Sequence, residues 1–377
     1  MSRAYVELSG ESPALARAEL AGALEALGGA IVDEPGVPEP LVAVALPEGQ
    51  LPQLAARLGL AHRCLIDAPD FGAPLGAQAP RGSASFRPFG RPSGGGVEPA
   101  VHTAARTWTA AGGRIDLAHP ERRFWGAGLP GGVRWYEEAA PVDRRATAAR
   151  AISALPFQRP VGLAPRLARA AANLARAGPG RSVLDPFLGT GALLAEAGLL
   201  GGRIFGIDRD AAMVRGALQN FAFLGVEAAG LAIGDAAEVE PPGTPPRFDA
   251  LLSDPPYGRA SSTRGEPAAA LLARVLPRWI ARLRPDGVAV LVVPAGSGPE
   301  LTGCRLEASV EVRVHRSLTR EFRLYRRGPD GEAAALGWRP PAGSERAEEG
   351  AEASERRPGR SSGEGIPPRP GPPATAG

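Results

Sequence analysis

Residues 183–191, Val183-Leu184-Asp185-Pro186-Phe187-Leu188-Gly189-Thr190-Gly191, run from an apolar strand through an acid into a glycine loop, and a helical pattern, Ala192–Leu200, follows at once. Glycines there let the backbone approach a ligand at the C-terminal end of a strand, where α/β sheets bind their ligands. The same strand, turn, helix unit recurs on the C-terminal side of this stretch. Strands are expected at Ser182–Leu184, Arg203–Ile207, Leu231–Ile233, Phe248–Ser253 and Val288–Val293, alternating with helices, which predicts a doubly wound α/β sheet that is mostly parallel. Val310–Arg326 reads as an antiparallel hairpin at its edge, making the sheet mixed. On the N-terminal side, the proline-punctuated segment 156–165 and a helix over Arg166–Arg176 lead in, so this domain is placed at 156–327.

The rest of the chain frames that domain. In residues 1–155 the pattern predicts a strand at Ala4–Leu8, a helix from Pro13 to about Leu27 capped by Ser12, a strand at Leu41–Leu46 and a helix at Leu51–Leu58. A second small α+β unit is expected from a strand around Ser85–Phe89, a helix over Glu98–Ala111, and strands at Arg114–Leu117 and Val133–Glu137. From Gly328 to Gly377 the chain is Gly, Pro, Glu, Arg, Ser and Ala with almost no aliphatic residue, so it is expected to be a disordered tail. At 377 residues with 44% hydrophobic and 22% charged residues, the whole is a folded multi-domain protein rather than a disordered chain. The two cysteines, Cys64 and Cys304, show no metal or disulfide spacing, so no metal is expected. No signal peptide or apolar run of membrane-spanning length is found, and a cytoplasmic location is expected. There is no Lys, so all 43 basic residues are Arg, planar forks suited to phosphate, and the net charge of +3 leaves a nucleic-acid partner open.

Four strand ends carry the chemistry. Asp185, Gly189, Thr190 and Gly191 form the first. A dinucleotide is disfavoured there, because the third glycine of that fingerprint is missing and Asp185 would sit beside a pyrophosphate. Asp208, ending Phe205-Gly206-Ile207-Asp208, is placed to accept both hydroxyls of a ribose; a strand-end Asp also N-caps helices, and the residue alone does not choose. Asp235, after Gly234, is placed to accept from an adenine amino group. Three strand-end acids suit a nucleoside without phosphate, which points to S-adenosylmethionine as cofactor. The fourth is Ser253-Asp254-Pro255-Pro256-Tyr257-Gly258. Two prolines remove two donors and hold the chain extended, so the Asp254 carboxylate and the Pro255 carbonyl can grip the two N–H groups of an exocyclic base amine, drawing its nitrogen toward tetrahedral geometry. Tyr257 offers a face on which an extruded base can stack.

The Asp254-Pro255-Pro256-Tyr257-Gly258 segment resembles the signature of amino-methyltransferases that use S-adenosylmethionine. The wider sequence resembles the archaeal tRNA (guanine(10)-N2) methyltransferases, through Ser9-Gly10-Glu11, Pro156-Phe157, Leu167-Ala168-Arg169, Met213 to Ala217 with Asn220, and His315 to Arg320. The similarity covers about residues 1–327. It implies a Rossmann-like methyltransferase domain preceded by a THUMP-like RNA-binding unit, with tRNA as partner. It also implies that Gly189, Gly191, Asp208 and Asp235 line the cofactor site, that Pro160 lies against the cofactor, and that Asp254, Pro255, Pro256 and Tyr257 form the catalytic loop. The N-terminal stretch departs from the family in lacking Lys, so its phosphate contacts are assigned on charge alone, to Arg81, Arg87, Arg91, Arg122 and Arg123. His315, at the turn of the edge hairpin, is assigned a structural role. A monomer with no obligate protein partner is expected. Two other readings stand beside this one: an N6-adenine methyltransferase, whose catalytic loop is the same, and a non-catalytic RNA-binding protein.

Overall fold

The computed structural model describes residues 1–73, 75, 82–89, 97–159, 162–257, 266–315, 318–329 and 338–339. The N-terminal part contains β1 (Ser2–Leu8), α1 (Pro13–Ala26), β2 (Ala30–Ile31), β3 (Leu41–Leu46), α2 (Leu51–Arg57), β4 (Ala61–Asp67), β5 (Ser83–Pro88), α3 (Val97–Ala110), β6 (Arg114–Ile115), β7 (Arg122–Leu129), β8 (Gly132–Pro141) and α4 (Arg144–Ala148). The expected pair of separate α+β units is replaced by one eight-stranded sheet in the order β2-β3-β1-β4-β8-β7-β5-β6. The reason is β4 and β8, which pair antiparallel from Arg63↔Pro141 to Asp67↔Tyr136 and carry the hydrogen-bond ladder across the middle. Under the far half, Phe71, Phe86, Trp108, Phe124 and Trp135 form a closed aromatic cluster. Phe86 and Phe124 stack on each other at 5.1 Å, and Phe71 meets Phe124 edge-on at 5.0 Å.

The second part contains α5 (Pro165–Leu174), β9 (Ser182–Asp185), α6 (Ala192–Leu199), β10 (Arg203–Asp208), α7 (Ala211–Leu224), β11 (Ala228–Ile233), β12 (Phe248–Ser253), α8 (Ala268–Ile280), β13 (Leu283–Pro294), β14 (Glu300–Leu301), β15 (Cys304–His315), β16 (Leu318–Arg327) and β17 (Trp338–Arg339). Its seven-stranded sheet runs β11-β10-β9-β12-β13-β16-β15. Strands β9 to β13 are parallel, while β16 is antiparallel to both β13 and β15, so the sheet is mixed and mostly parallel as expected. β12 is buried along its whole length and β13 from Gly287 to Val293, because helices cover both faces; this is why they read as unbroken apolar runs. Helix α8 buries Leu271, Leu272, Val275, Leu276, Trp279 and Ile280 on one face, and the Trp279 indole donates to the Ala236 carbonyl at 2.9 Å. The chain leaves β9 for β10 on one side and later returns as β12 on the other. The crevice between β9 and β12 is therefore the switch point where such sheets bind ligands.

The two sheets are joined by a shared core through α1, α5 and α6. Gly22 of α1 is the contact point: a Cβ there would lie 2.5 Å from the Asn173 carbonyl of α5. Beside it, the fully buried Glu19 accepts from the Gly59 and Leu60 amides, both at 2.8 Å, and from the Asn173 side chain at 2.9 Å. Trp338–Arg339 pairs antiparallel with β14, so at these two residues the tail departs from the expected disorder; 330–337 and 340–377 lie outside the described residues. No helix among the described residues is long and apolar enough to cross a membrane.

Candidate active site

The strand-end residues meet at the switch point. Asp185 closes β9 and is 2% exposed; its Oδ1 accepts from the Phe187 amide at 2.9 Å and from the Ser253 hydroxyl at 2.5 Å. Burial pushes its carboxyl up to about 7, with the nearby carboxylates of Asp254 and Asp208 adding to the effect. The glycine loop follows with Gly189 at φ 53° and Gly191 at φ 80°, backbone that side chains rarely adopt. Gly191 also has no room for a side chain, since a Cβ would lie 2.7 Å from the Phe221 ring.

Asp208 closes β10. Its Oδ2 accepts from the Gly189 amide at 2.8 Å and its Oδ1 from the Asp210 amide at 2.9 Å, so it ties the second strand end to the glycine loop of the first. Each oxygen keeps lone-pair capacity for a ribose hydroxyl. The N-cap of α7 is Asp210, whose side chain accepts from the Ala212 amide at 2.8 Å, so Asp208 is not the capping residue. Asp235 is engaged differently from the expectation. Its two oxygens receive a bidentate pair from Arg274 of α8, both at 2.8 Å, and this ion pair holds its carboxyl below the ordinary range. Arg274 also holds Glu266, and Arg209 lies 3.5 Å from Asp235. The Asp235 carboxylate is thus part of a surface ion network at the edge of the crevice. Thr190 contributes its carbonyl, which accepts from the Asn220 side chain at 3.1 Å. The same Asn220 bonds the Phe157 amide at 2.9 Å and carbonyl at 3.1 Å, fastening the lead-in segment before α5 to α7.

The Asp254 loop leaves β12. Asp254 Oδ1 accepts from Arg320 Nη1 at 2.7 Å and from the Tyr257 hydroxyl, and the Tyr257 oxygen also meets Arg320 and the Val292 carbonyl. The contacts of Asp254 among the described residues all fall on Oδ1. Burial raises the Asp254 carboxyl, and the Arg320 cation opposes that rise. The Tyr257 ring does not stand free as expected: its hydroxyl is turned inward into this network, and Arg320 lies 5.0 Å from its centroid. Pro255 and Pro256 hold the loop extended between the two. Arg320, Asn220 and Ser253 are the residues whose contacts at the site were not foreseen. Pro160 and Gly258 lie outside the described residues.

Elsewhere, Arg122 makes a bidentate pair with Glu137 and lies over Phe124, so it is not a free phosphate ligand. Arg87 and Arg123 are exposed or half-exposed on the N-terminal sheet, where Arg87 and Arg63 approach the Trp125 ring. Arg81 and Arg91 lie outside the described residues. His315 is the last residue of β15 and exposed, with Leu318 of β16 as its partner.

Residues 154–321 match the family model of the RMKL-like methyltransferase domain. A tRNA (guanine(10)-N2)-dimethyltransferase of Pyrococcus abyssi is 35% identical over 217 residues, 55% of this chain, and the chain spans 63% of that relative's length. A probable tRNA (guanine(10)-N2)-dimethyltransferase of Methanothermococcus thermolithotrophicus is 30% identical over 167 residues, 43% of this chain and 98% of the relative. Among solved structures, TrmN from Thermus thermophilus covers 86% of this chain and 100% of its own, with 21% identity and a TM-score of 0.43.

Proposed function

The chain belongs to the family of these tRNA (guanine(10)-N2)-dimethyltransferases, and from that premise we propose that it transfers methyl groups from S-adenosylmethionine to the exocyclic N2 amine of a guanosine in tRNA. The observation that carries the proposal is the Asp254 carboxylate at the end of β12, next to the switch point, with Oδ1 fixed by Arg320 and Oδ2 left for a substrate amine.

The residues fit the cofactor. Asp208 orders the glycine loop and keeps acceptor capacity for two ribose hydroxyls, and the positive-φ glycines leave the backbone bare beside it. The Asp208 carboxylate beside the glycine loop repels a phosphate, which suits a nucleoside cofactor that carries none. S-adenosylmethionine, when bound, supplies an electrophilic methyl group. The chain does the rest: Asp254 Oδ2 accepts one N–H of the amine, the Pro255 carbonyl accepts the other, and the nitrogen lone pair is freed from conjugation and aimed for in-line attack. Because a base inside a stem cannot reach this crevice, the target nucleotide leaves its stack before it is held. The N-terminal eight-stranded sheet, docked through α1 and α5, is the THUMP-like tRNA-binding unit in this reading, with Arg87 and Arg123 among its phosphate contacts.

Asp254→Asn tests the assignment. The amide presents an NH2 group that repels the amine or a weaker neutral acceptor, so single-turnover methyl transfer to bulk tRNA should fall about 100-fold or more while affinities for tRNA and cofactor stay near wild type. A near-normal rate would remove Asp254 from the mechanism.

A further inference from the structure

Arg320 is an unusual residue to find at a crevice lined with acids. It sits on β16, two strands away from Asp254, with its side chain 5% exposed. β16 is antiparallel to β13, and the register Pro294↔Arg320 puts Arg320 at the same end of the sheet as the last residues of the parallel strands. Its guanidinium therefore reaches across the end of β13, past the Val292 carbonyl, to Asp254. A buried Arg without a carboxylate would be costly, and the half-buried Asp254 carboxylate at 2.7 Å supplies it.

The geometry does more than balance charge. Arg320 Nη1 meets one carboxylate oxygen of Asp254 and the hydroxyl of Tyr257, and the guanidinium carbon lies 5.0 Å from the Tyr257 ring centroid. One cation thus fixes both ends of the loop 254–257. A carboxylate held at Oδ1 cannot rotate about its Cβ–Cγ bond, so Oδ2 faces a set direction, and the extended Pro255-Pro256 link fixes the Pro255 carbonyl relative to it. Lys would not serve equally, because a point charge on a flexible stem lacks the planar fork that stays packed on the Tyr257 ring while bonding the carboxylate.

We propose that Arg320 is the positioning residue of the methyl-transfer step: it acts through Asp254, orienting Oδ2 and the Pro255 carbonyl as the pair of acceptors for the substrate amine. This rests on the proposed amino-methyltransferase reading of the loop and adds to it a residue 66 positions away in sequence.

The test is a double-mutant cycle on the full chain, with Arg320→Met, Arg320→Lys, Asp254→Asn and Arg320→Met/Asp254→Asn. The readout is the single-turnover rate of labelled methyl transfer from S-adenosylmethionine to bulk tRNA, counted in all nucleosides together. Cofactor affinity by calorimetry and the melting temperature are measured on each variant. Arg320→Met should lower the rate about 100-fold, with cofactor affinity and the tRNA concentration at half-saturation within about threefold of wild type. Arg320→Lys should recover part of the loss. The double variant should be no slower than Asp254→Asn alone, because an arginine that acts through Asp254 has nothing left to position. Multiplying losses in the double variant would overturn the proposal, as would a loss in Arg320→Met matched by equal losses in cofactor affinity and melting temperature, which marks a structural residue. If Arg320→Met is too unstable to assay, the lysine variant decides: a wild-type rate contradicts the need for the fork, and a slow rate with a wild-type melting temperature supports it. The wild-type nucleoside product is read separately. Label in N6-methyladenosine would move the substrate assignment and leave the cycle on Arg320 standing.

Discussion

Asp208 shows how one carboxylate serves two strand ends. It accepts the Gly189 amide with one oxygen and the Asp210 amide with the other, so the glycine loop proposed to approach the cofactor is held by the residue proposed to meet its ribose. Replacing it with Ala removes charge-assisted hydrogen bonds and frees the loop, at a cost of about 1.5–3 kcal/mol, or roughly 10- to 100-fold in affinity for S-adenosylmethionine. Calorimetry on Asp208→Ala that returned wild-type affinity would contradict the assignment. Asp208 and Asp254 were legible in the sequence because each follows an apolar run that identifies its strand end. Arg320 was not. Arg313, Arg320, Arg323 and Arg326 lie on the same hairpin, and the pairing of β16 with β13 places Arg320 at the end where it meets Asp254. The ion pair of Asp235 with Arg274, 39 residues on and one helix away, was not legible, because nothing in the sequence brings the two together.

At the scale of elements, the packing of α1 on α5 depends on a buried acid. Burial, against three donors, pushes the Glu19 carboxyl up to about 7, well above the ordinary carboxylate range. The folded state therefore binds more protons than the unfolded chain between about pH 4.3 and 7, where the unfolded pKa is the ordinary one. The sign follows: Glu19 adds stability at low pH that is lost as pH rises toward 7 and stays lost above it. Glu19→Gln removes this titration and turns an amide NH2 toward the Gly59, Leu60 or Asn173 donors. The variant should be less stable than wild type by about 1–3 kcal/mol near neutrality, with the gap widening as pH falls from 8 to 5.5. Chemical denaturation of both proteins at the two pH values checks it, and a gap that narrows on acidification would reverse the account. The pattern found α1, α2, α3, α5 and α6 and the buried strands of the second sheet, whose periodicities are strong. It missed β4 and β7, where charged residues and glycines interrupt the alternation, as in Ala61-His62-Arg63-Cys64-Leu65 and Gly126-Ala127-Gly128, and with them it missed the single sheet.

For the molecule as a whole, the shared core through α1, α5 and α6 makes the two sheets one folded body, so in the proposed function a tRNA bound on the first sheet is presented at a fixed distance from the crevice of the second. That arrangement favours a substrate large enough to touch both, which an isolated nucleoside or a short oligonucleotide is not. The measurement that tests this account most directly is incubation of the purified chain with S-adenosylmethionine and an unmodified tRNA transcript, followed by digestion to nucleosides and mass spectrometry. The account predicts N2-methylguanosine or N2,N2-dimethylguanosine at a single guanosine, formed about 100-fold or more slowly with Asp254→Asn and absent when a short oligonucleotide of the same local sequence replaces the tRNA. Methyl groups found only on the N6 of adenosine, or no methylated nucleoside at all from a chain that binds the cofactor, would contradict it.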